Sequence, residues 1–329
     1  MNFMSQNTAA QNAKKQRPVS RKEMSKFQWT LREMKKNYIA YVMLAPFFLL
    51  FCVFTVFPVL LSIFMSFTDF NVLQTPNFVG VDNYLTLFLD DEIFLIAVKN
   101  TLMFAAITGP VSYLLSLLLA WFINELPPKV RAVVTFIYYS PSVSGMVYMV
   151  WQYLFSADSH GFVNGWLLEF GITTVGGNSV PVQWFQNADF VMPLCIVVAL
   201  WTSIGTAFLS FIAGFQIVSK ALYEAAAVDG IRNRWQELWH ITLPVMKPQM
   251  MFAAVTSITS SFSFGTIVTA LAGFPSVEYA AHTIMHHLED YGGIRFEVGY
   301  SSAIATILFL MMIGVNKLIK GMIGKVGQS

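Results

Sequence analysis

The chain has 329 residues, of which 56% are hydrophobic and only 12% charged, with mean hydropathy +0.58 and a formal net charge of +2. A soluble domain carries about 25% charged residues, so this composition excludes an ordinary water-solvated globule and points to a bilayer as the solvent. Cys52 and Cys195 each lie inside an apolar run, which excludes a disulfide framework and a cysteine-built metal site.

Residues 1–37 are polar and basic, and lack the short apolar core and small-residue cleavage site of a signal peptide. Ser20 and Glu23 form a capping-box pattern, after which Met24, Phe27, Leu31 and Met34 recur at helical spacing among lysines and arginines. The pattern fits an amphipathic helix on the inner membrane surface, or a mostly disordered tail with a helical end. Residues 1–19 are expected to be disordered.

Six apolar runs follow, at about 38–67, 97–123, 132–155, 190–215, 250–271 and 298–315. About twenty apolar residues cross the hydrocarbon core, so each run is long enough for a span or close to it. The polar stretch after the first run contains Phe78-Val79-Gly80-Val81-Asp82-Asn83-Tyr84. Pro127-Pro128 forces a turn after the second run. Within the third, the cluster from Tyr138 to Gly145 marks close helix packing or a local break, and packing is the expectation. Residues 156–189 read as a long loop, with Trp166 and Trp184 suited to the membrane interface. Residues 273–297 read as another loop, and a short basic tail, 319–329, ends the chain.

Between the fourth and fifth runs lies the polar stretch 217–248. Glu224, Ala225, Ala226 and Ala227 run as a short helix into Asp229-Gly230, where glycine can take the left-handed conformation that closes it. Asn233 and Gln236 signal the start of a second helix, which Pro244 and Pro248 are expected to end. The spacing Glu224-Ala225-Ala226, Asp229-Gly230, Ile241, Leu243-Pro244 and Pro248 resembles the EAA loop of permeases from binding-protein-dependent ABC importers. Ile231 stands where that motif commonly has alanine. Val79-Gly80 with Asn83-Tyr84 is similar to a stretch after the first span of sugar permeases, and Gly299-Tyr300-Ser301-Ser302-Ala303 to the start of their last span.

The resemblance, over about residues 38–318, implies an all-α, six-span type I ABC importer permease of the bacterial inner membrane, akin to the larger subunit of maltose- or glycerol-phosphate-type systems. It further implies a second six-span permease, two ABC ATPase subunits docked on Glu224, Ala225, Ala226, Asp229, Gly230, Ile241, Leu243 and Pro244, and an extracellular solute-binding protein. The solute expected is a sugar or oligosaccharide, with glycerol phosphate or another small polar solute as the alternative. No cofactor, metal or nucleic-acid partner is expected beyond the membrane lipid.

Charge placement orients the chain independently. With both termini inside, the inner segments hold 18 of the 20 lysines and arginines, leaving Lys99 and Arg295 outside. The loop at 217–248 then faces the cytoplasm. The absence of a G-x-x-x-x-G-K-[ST] loop argues against ATP hydrolysis by this chain, which is expected in a separate subunit. The apolar runs carry no ionisable residue apart from Lys99 near one end, which disfavours an ion-coupled carrier. His282, His286 and His287 beside Glu289 and Asp290 offer metal-ligand types, but lack the metalloprotease pattern of a glutamate between paired histidines. Sugar sites combine aromatic faces with hydroxyl partners, which Trp201, Thr202 and Ser203 in the fourth run and Ser257, Ser260, Ser261 and Phe264 in the fifth provide. Small hydroxyl residues also pack membrane helices without touching solute.

Overall fold

The computed structural model describes residues 26–172 and 180–323, so Ser20, Glu23, Met24 and the first nineteen residues lie outside it. The chain divides into two compact units, residues 1–61 and 62–329. In the first, helix α1 (Lys26–Lys36) ends at Asn37, whose side-chain amide donates to the Glu33 carbonyl at 3.1 Å. Helix α2 (Tyr38–Met65) begins at once and reaches into the second unit. It passes Pro58 without breaking because a wider π turn over Cys52–Val56 loosens the hydrogen-bond ladder just before it.

The second unit continues with α3 (Asp82–Leu89), α4 (Glu92–Asn124), α5 (Pro128–Val143), α6 (Val147–Leu154), α7 (Phe162–Glu169), α8 (Ala188–Thr202) and α9 (Thr206–Ile217). Next come α10 (Lys220–Val228) and α11 (Arg234–Glu237), the latter prolonged through a π turn, Leu238–Thr242, into Leu243–Val245. Helices α12 (Lys247–Phe262), α13 (Gly265–Ala272), α14 (Ile284–Glu289) and α15 (Val298–Ile323) complete it. Four segments are each long and apolar enough to cross a membrane: α2, α4, α8 with α9, and α15. The pairs α5–α6 and α12–α13 pass the same test when joined, but are bent by 83° and 43°.

Helix α4 organises the packing. Its start (Phe94, Ala97) lies in a cluster with α3, α14 and α15, and its middle (Phe104) packs with α8 and α13. Its end (Leu117, Ala120, Ile123) packs with α9, the α11 segment and α12. Small residues let the backbones approach: a side chain on Gly109 would crowd Ser261, and one on Gly265 would meet Met285.

Several boundaries differ from the apolar runs. Helix α4 starts at Glu92 because Asp91 caps it, accepting from the Phe94 amide at 2.8 Å. Helix α15 runs past Val315 to Ile323, carrying Lys317 and Lys320, whose long stems can lift their charges toward water. The third run is broken, not merely packed. Ser140 and Ser142 hydrogen-bond back to the Ile137 and Tyr139 carbonyls, competing with the helical ladder, and Ser144 is extended. Pro244 does not end its helix, which passes through it from the preceding π turn. Pro248 sits in the first turn of α12, where its missing amide costs nothing.

The two long loops are also structured. Asn164 on α7 is buried, donating to the Ser156 and Val182 carbonyls and accepting from the Trp184 indole. The stretch 273–297 holds α14, with Ile284 and His286 fully buried. Two of the short motifs are packing devices. Asn83 donates to the Ser66 and Thr68 carbonyls, both at 2.9 Å, and Tyr84 bonds the Ser66 hydroxyl at 2.6 Å. A side chain at Gly299 would collide with the Thr68 carbonyl, while its amide donates to Phe70 at 2.8 Å.

Candidate functional site

Two features stand out, a stiff loop at one end of the second unit and an uncharged cavity among broken helices. In the loop, Ser219 caps α10 by accepting from the Ala221 amide. The far end of α10 is closed by two bonds, Ile231 amide to Ala226 carbonyl (3.0 Å) and Gly230 amide to Ala227 carbonyl (3.4 Å). This is the Schellman pattern, and it requires the left-handed conformation that Gly230 takes (φ +96°). Asn233 then caps α11, accepting from the Gln236 amide at 2.8 Å, and the Gln236 side chain accepts in return from the Arg232 amide at 3.1 Å. The Tyr223 hydroxyl meets that of Thr242 at 2.8 Å, tying α10 to the π turn of α11.

The EAA-type residues divide by exposure. Glu224, Ala225, Asp229, Gly230 and Pro244 are exposed, whereas Ala226 and Leu243 are buried and Ile241 half-buried, turned toward the chain's own core. The outer surface is unusually apolar for a polar loop: Val228 is 87% exposed and Trp239 65%. Behind the loop lies a cleft of about 650 Å³, bounded by Glu224, Lys220, Arg234, Glu237, Glu125 and Arg131.

The cavity, about 420 Å³, is lined from three helix pairs at their breaks. Ser142 and Ser144 come from the α5–α6 break, Ser203 and Gly205 from the α8–α9 break, and Ser263 and Phe264 from the α12–α13 break. Each break carries a hydroxyl that bonds back to its own helix, as Ser142 does to Tyr139, Ser203 to Leu200 and Ser263 to Thr259. Broken backbone at membrane depth is tolerated where it lines a cavity. Tyr139 and Tyr148 add aromatic faces, and the lining contains no Asp, Glu, Lys, Arg or His.

Of the residues expected on a solute path, Thr202, Ser203, Ser260 and Phe264 line this cavity. The other three lie elsewhere. Trp201 stacks edge-on against Trp151, with centroids 5.5 Å apart. Ser257 is buried, and Ser261 is buried with its hydroxyl bonded back to the Ser257 carbonyl beside Gly109. The α5–α6 contribution carries a sequence signal, the Tyr138–Gly145 cluster, but as a break and not as packing.

The histidines take a structural place. His282, His286 and His287 are all buried, and among the described residues no group of three or more His, Cys, Asp or Glu is arranged to hold a metal. His287 Nε2 donates to Asp91 at 2.8 Å, and the Tyr300 hydroxyl donates to the same carboxylate oxygen at 2.8 Å. His286 bonds Thr283 (2.8 Å) and Thr269 (3.1 Å) and stacks on Phe274. Burial pushes the pKa of His282 down to about 3 and that of His286 to about 4. Burial also lowers that of His287, though the Asp91 carboxylate opposes the shift. Burial alone would raise the pKa of Asp91. The Phe94 amide, the Tyr300 hydroxyl and His287 together outweigh it, so the carboxyl lies below its usual range.

Residues 101–323 match the family described as "Binding-protein-dependent transport system inner membrane component". The "Probable ABC transporter permease protein YesP" of Bacillus subtilis (strain 168) is 30% identical over 291 residues, covering 87% of this chain and 90% of that one. The "Arabinooligosaccharides transport system permease protein AraP" of the same organism is 30% identical over 283 residues, covering 85% and 87%. Among solved structures, a chain from the crystal structure of a bacterial ABC transporter involved in the import of the acidic polysaccharide alginate superposes with a TM-score of 0.72. It is 25% identical, with 91% of this chain and 99% of that one covered. The EAA-type loop, the broken apolar helices and these likenesses agree, and the chain belongs to the inner-membrane permease components of binding-protein-dependent ABC importers.

Proposed function

We propose that this chain pairs with a second permease to form the translocation pathway for an uncharged oligosaccharide. An extracellular binding protein delivers the sugar, and ATPase subunits seated on the exposed EAA-type residues Glu224, Ala225, Asp229, Gly230 and Pro244 drive its passage. The observation that carries the substrate reading is the cavity at the three helix breaks, rich in hydroxyls and tyrosine faces and free of charged side chains. Ring hydroxyls of a sugar find partners there, and its C–H faces find Tyr139, Tyr148 and Phe264. A phosphate or uronate group would find no arginine or lysine to meet it, and burying an unpaired charge is costly. This chemistry favours a solute of the neutral kind named for the arabinooligosaccharide relative over the acidic polymer named for the alginate transporter.

In this reading each bent pair is one crossing, so the chain spans the membrane six times with both termini and the 217–248 loop inside. Helix α1, basic and amphipathic, rests at the inner lipid surface. ATP is hydrolysed in the partner subunits. The test is uptake into vesicles carrying the complete complex, with a labelled neutral trisaccharide competed by neutral oligosaccharides or by oligouronates of equal length. Competition by the neutral set alone is expected. Equal or better competition by the uronates would overturn the substrate reading.

A further inference from the structure

The last turn of α4 and the short connection that follows it touch the loop in two places, at Trp121 and Glu125. Arg234, the first residue of α11, forks between two elements, with one guanidinium nitrogen 3.1 Å from Glu237 on its own helix and the other 3.1 Å from Glu125 at the end of α4. A planar guanidinium can hold both carboxylates at once, which a lysine ammonium on a flexible stem does less well. Next to it, the Trp235 ring packs on that of Trp121, with centroids 4.7 Å apart and planes tilted by 60°. We propose that this pair of contacts is a latch that makes the α4–α5 connection a second output arm of the coupling loop, carrying its movement through α5 to the helix break at the cavity. The proposal rests on the reading that the ATPase seats on the loop.

A latch transmits movement only if both sides are stiff, and both are. On the loop side, Tyr223–Thr242 and the bond from Thr242 to the Glu237 carbonyl (3.2 Å) lock α10, α11 and the π turn together. On the other side, Arg131 ties α5 to the end of α4, donating to the Asn124 side chain at 3.0 Å and the Leu126 carbonyl at 3.4 Å. Pro127 and Pro128 fix two consecutive φ angles between them. Helix α5 has 16 residues, so it is a rod about 24 Å long. Its far end carries Ser142, followed by Ser144 in the break, both on the cavity wall. A displacement of Glu125 therefore reaches the cavity through one rigid helix.

The ion pair is partly exposed, and pairs of that kind contribute little to folding, so removing it leaves assembly intact and isolates transmission. The test uses the complete complex in nanodiscs with Cys52 and Cys195 replaced by serine, and a bimane fluorophore on Ser144→Cys. MgATP with vanadate is the probe, since it requires no knowledge of the solute. Glu125→Gln and Trp235→Ala are expected to cut the emission change about three- to ten-fold while the ATPase stays bound and hydrolyses ATP. Glu237→Gln, which spares the link to Glu125, and Trp235→Phe, which keeps a ring on Trp121, should retain the response. Adding Glu125→Gln to Arg234→Gln should cause no further loss, as expected of one interacting unit. Full responses in Glu125→Gln and Trp235→Ala, losses that multiply in the double variant, or loss of bound ATPase would each overturn the latch. A parent complex that gives no vanadate response would overturn the coupling-loop reading and the latch with it, whereas a responsive parent with unaffected variants sinks the latch alone.

Discussion

Asp91 holds three elements through one carboxylate: it caps α4 through the Phe94 amide, accepts from His287 on α14, and accepts from Tyr300 on α15. That oxygen can only accept, so the His287 proton sits on Nε2 and its Nδ1 is left to accept from His282 Nε2, 3.5 Å away. The groups facing His287 are Asp91, Asp290, Arg295 and His282, with the Tyr291 ring against its own. The folded protein thus keeps its buried histidines neutral and Asp91 ionised. An unfolded chain protonates histidine near pH 6.5, so the depressed histidines contribute stability that is complete above that value. It is lost as pH falls through 6.5 toward about 4 for His286 and about 3 for His282. The lowered Asp91 pKa acts with the same sign at more acidic pH. The thermal unfolding midpoint in detergent is therefore expected to drop between pH 7 and pH 5, and more shallowly in a His286→Gln variant. A midpoint flat over that range in the parent would contradict this account of the cluster.

At the scale of elements, the loop and the broken helices differ in how far the sequence discloses them. The Gly230 closure and the Asn233 cap depend on residues within a few positions of each other, so both are legible in the sequence by itself. The breaks at 144–146, 203–205 and 263–264 are not, because a hydroxyl bonding back to its own helix and a hydroxyl packing between helices leave the same residues in the chain. Apolar length marks a span but carries no information on its direction, which is why α5–α6 and α12–α13 read as straight runs. The Asp91–His287–Tyr300 clamp joins residues some two hundred positions apart, and no local pattern announces it. The loop also yields a prediction at this scale. Gly230 has open space around it, so Gly230→Val meets no neighbour, and its cost is the backbone conformation alone, about 1–3 kcal/mol. That is enough to unwind the end of α10 and shift Glu224 and Val228, so uptake should fail while membrane insertion persists. Glu224→Lys should fail by a separate route, since reversing one charge at a buried contact with a partner costs roughly 2–5 kcal/mol and loses the ATPase from pull-downs. Normal uptake with bound ATPase in both variants would reduce the loop to a connector.

Over the whole second unit, α4 is the axis on which these parts are strung. Its 33 residues extend about 50 Å, well beyond a hydrocarbon core of about 30 Å, so both of its ends emerge into polar surroundings. One end is gripped by the Asp91 clamp and the other by the Glu125 latch, and the middle packs through Phe104 against Phe264 at the cavity wall. In the proposed topology the two grips lie on opposite faces of the membrane. The placement of basic residues decides which face is which: the latch end carries Lys129, Arg131, Lys220, Arg232, Arg234 and Lys247, whereas the clamp end carries Lys99 and Arg295. Positive charge is retained on the cytoplasmic side, so the orientation we propose has the latch and coupling loop inside and the clamp outside. With Cys52 and Cys195 replaced by serine, single cysteines at Asp82 and Glu289 should therefore react with a membrane-impermeant maleimide in intact cells. Cysteines at Val228 and Arg234 should react only after the membrane is opened. Labelling at Val228 in intact cells would invert the orientation and put the loop beyond reach of any cytoplasmic ATPase. Protection at both Asp82 and Glu289 would mean that the clamp end does not emerge, so that α4 could not be a full crossing.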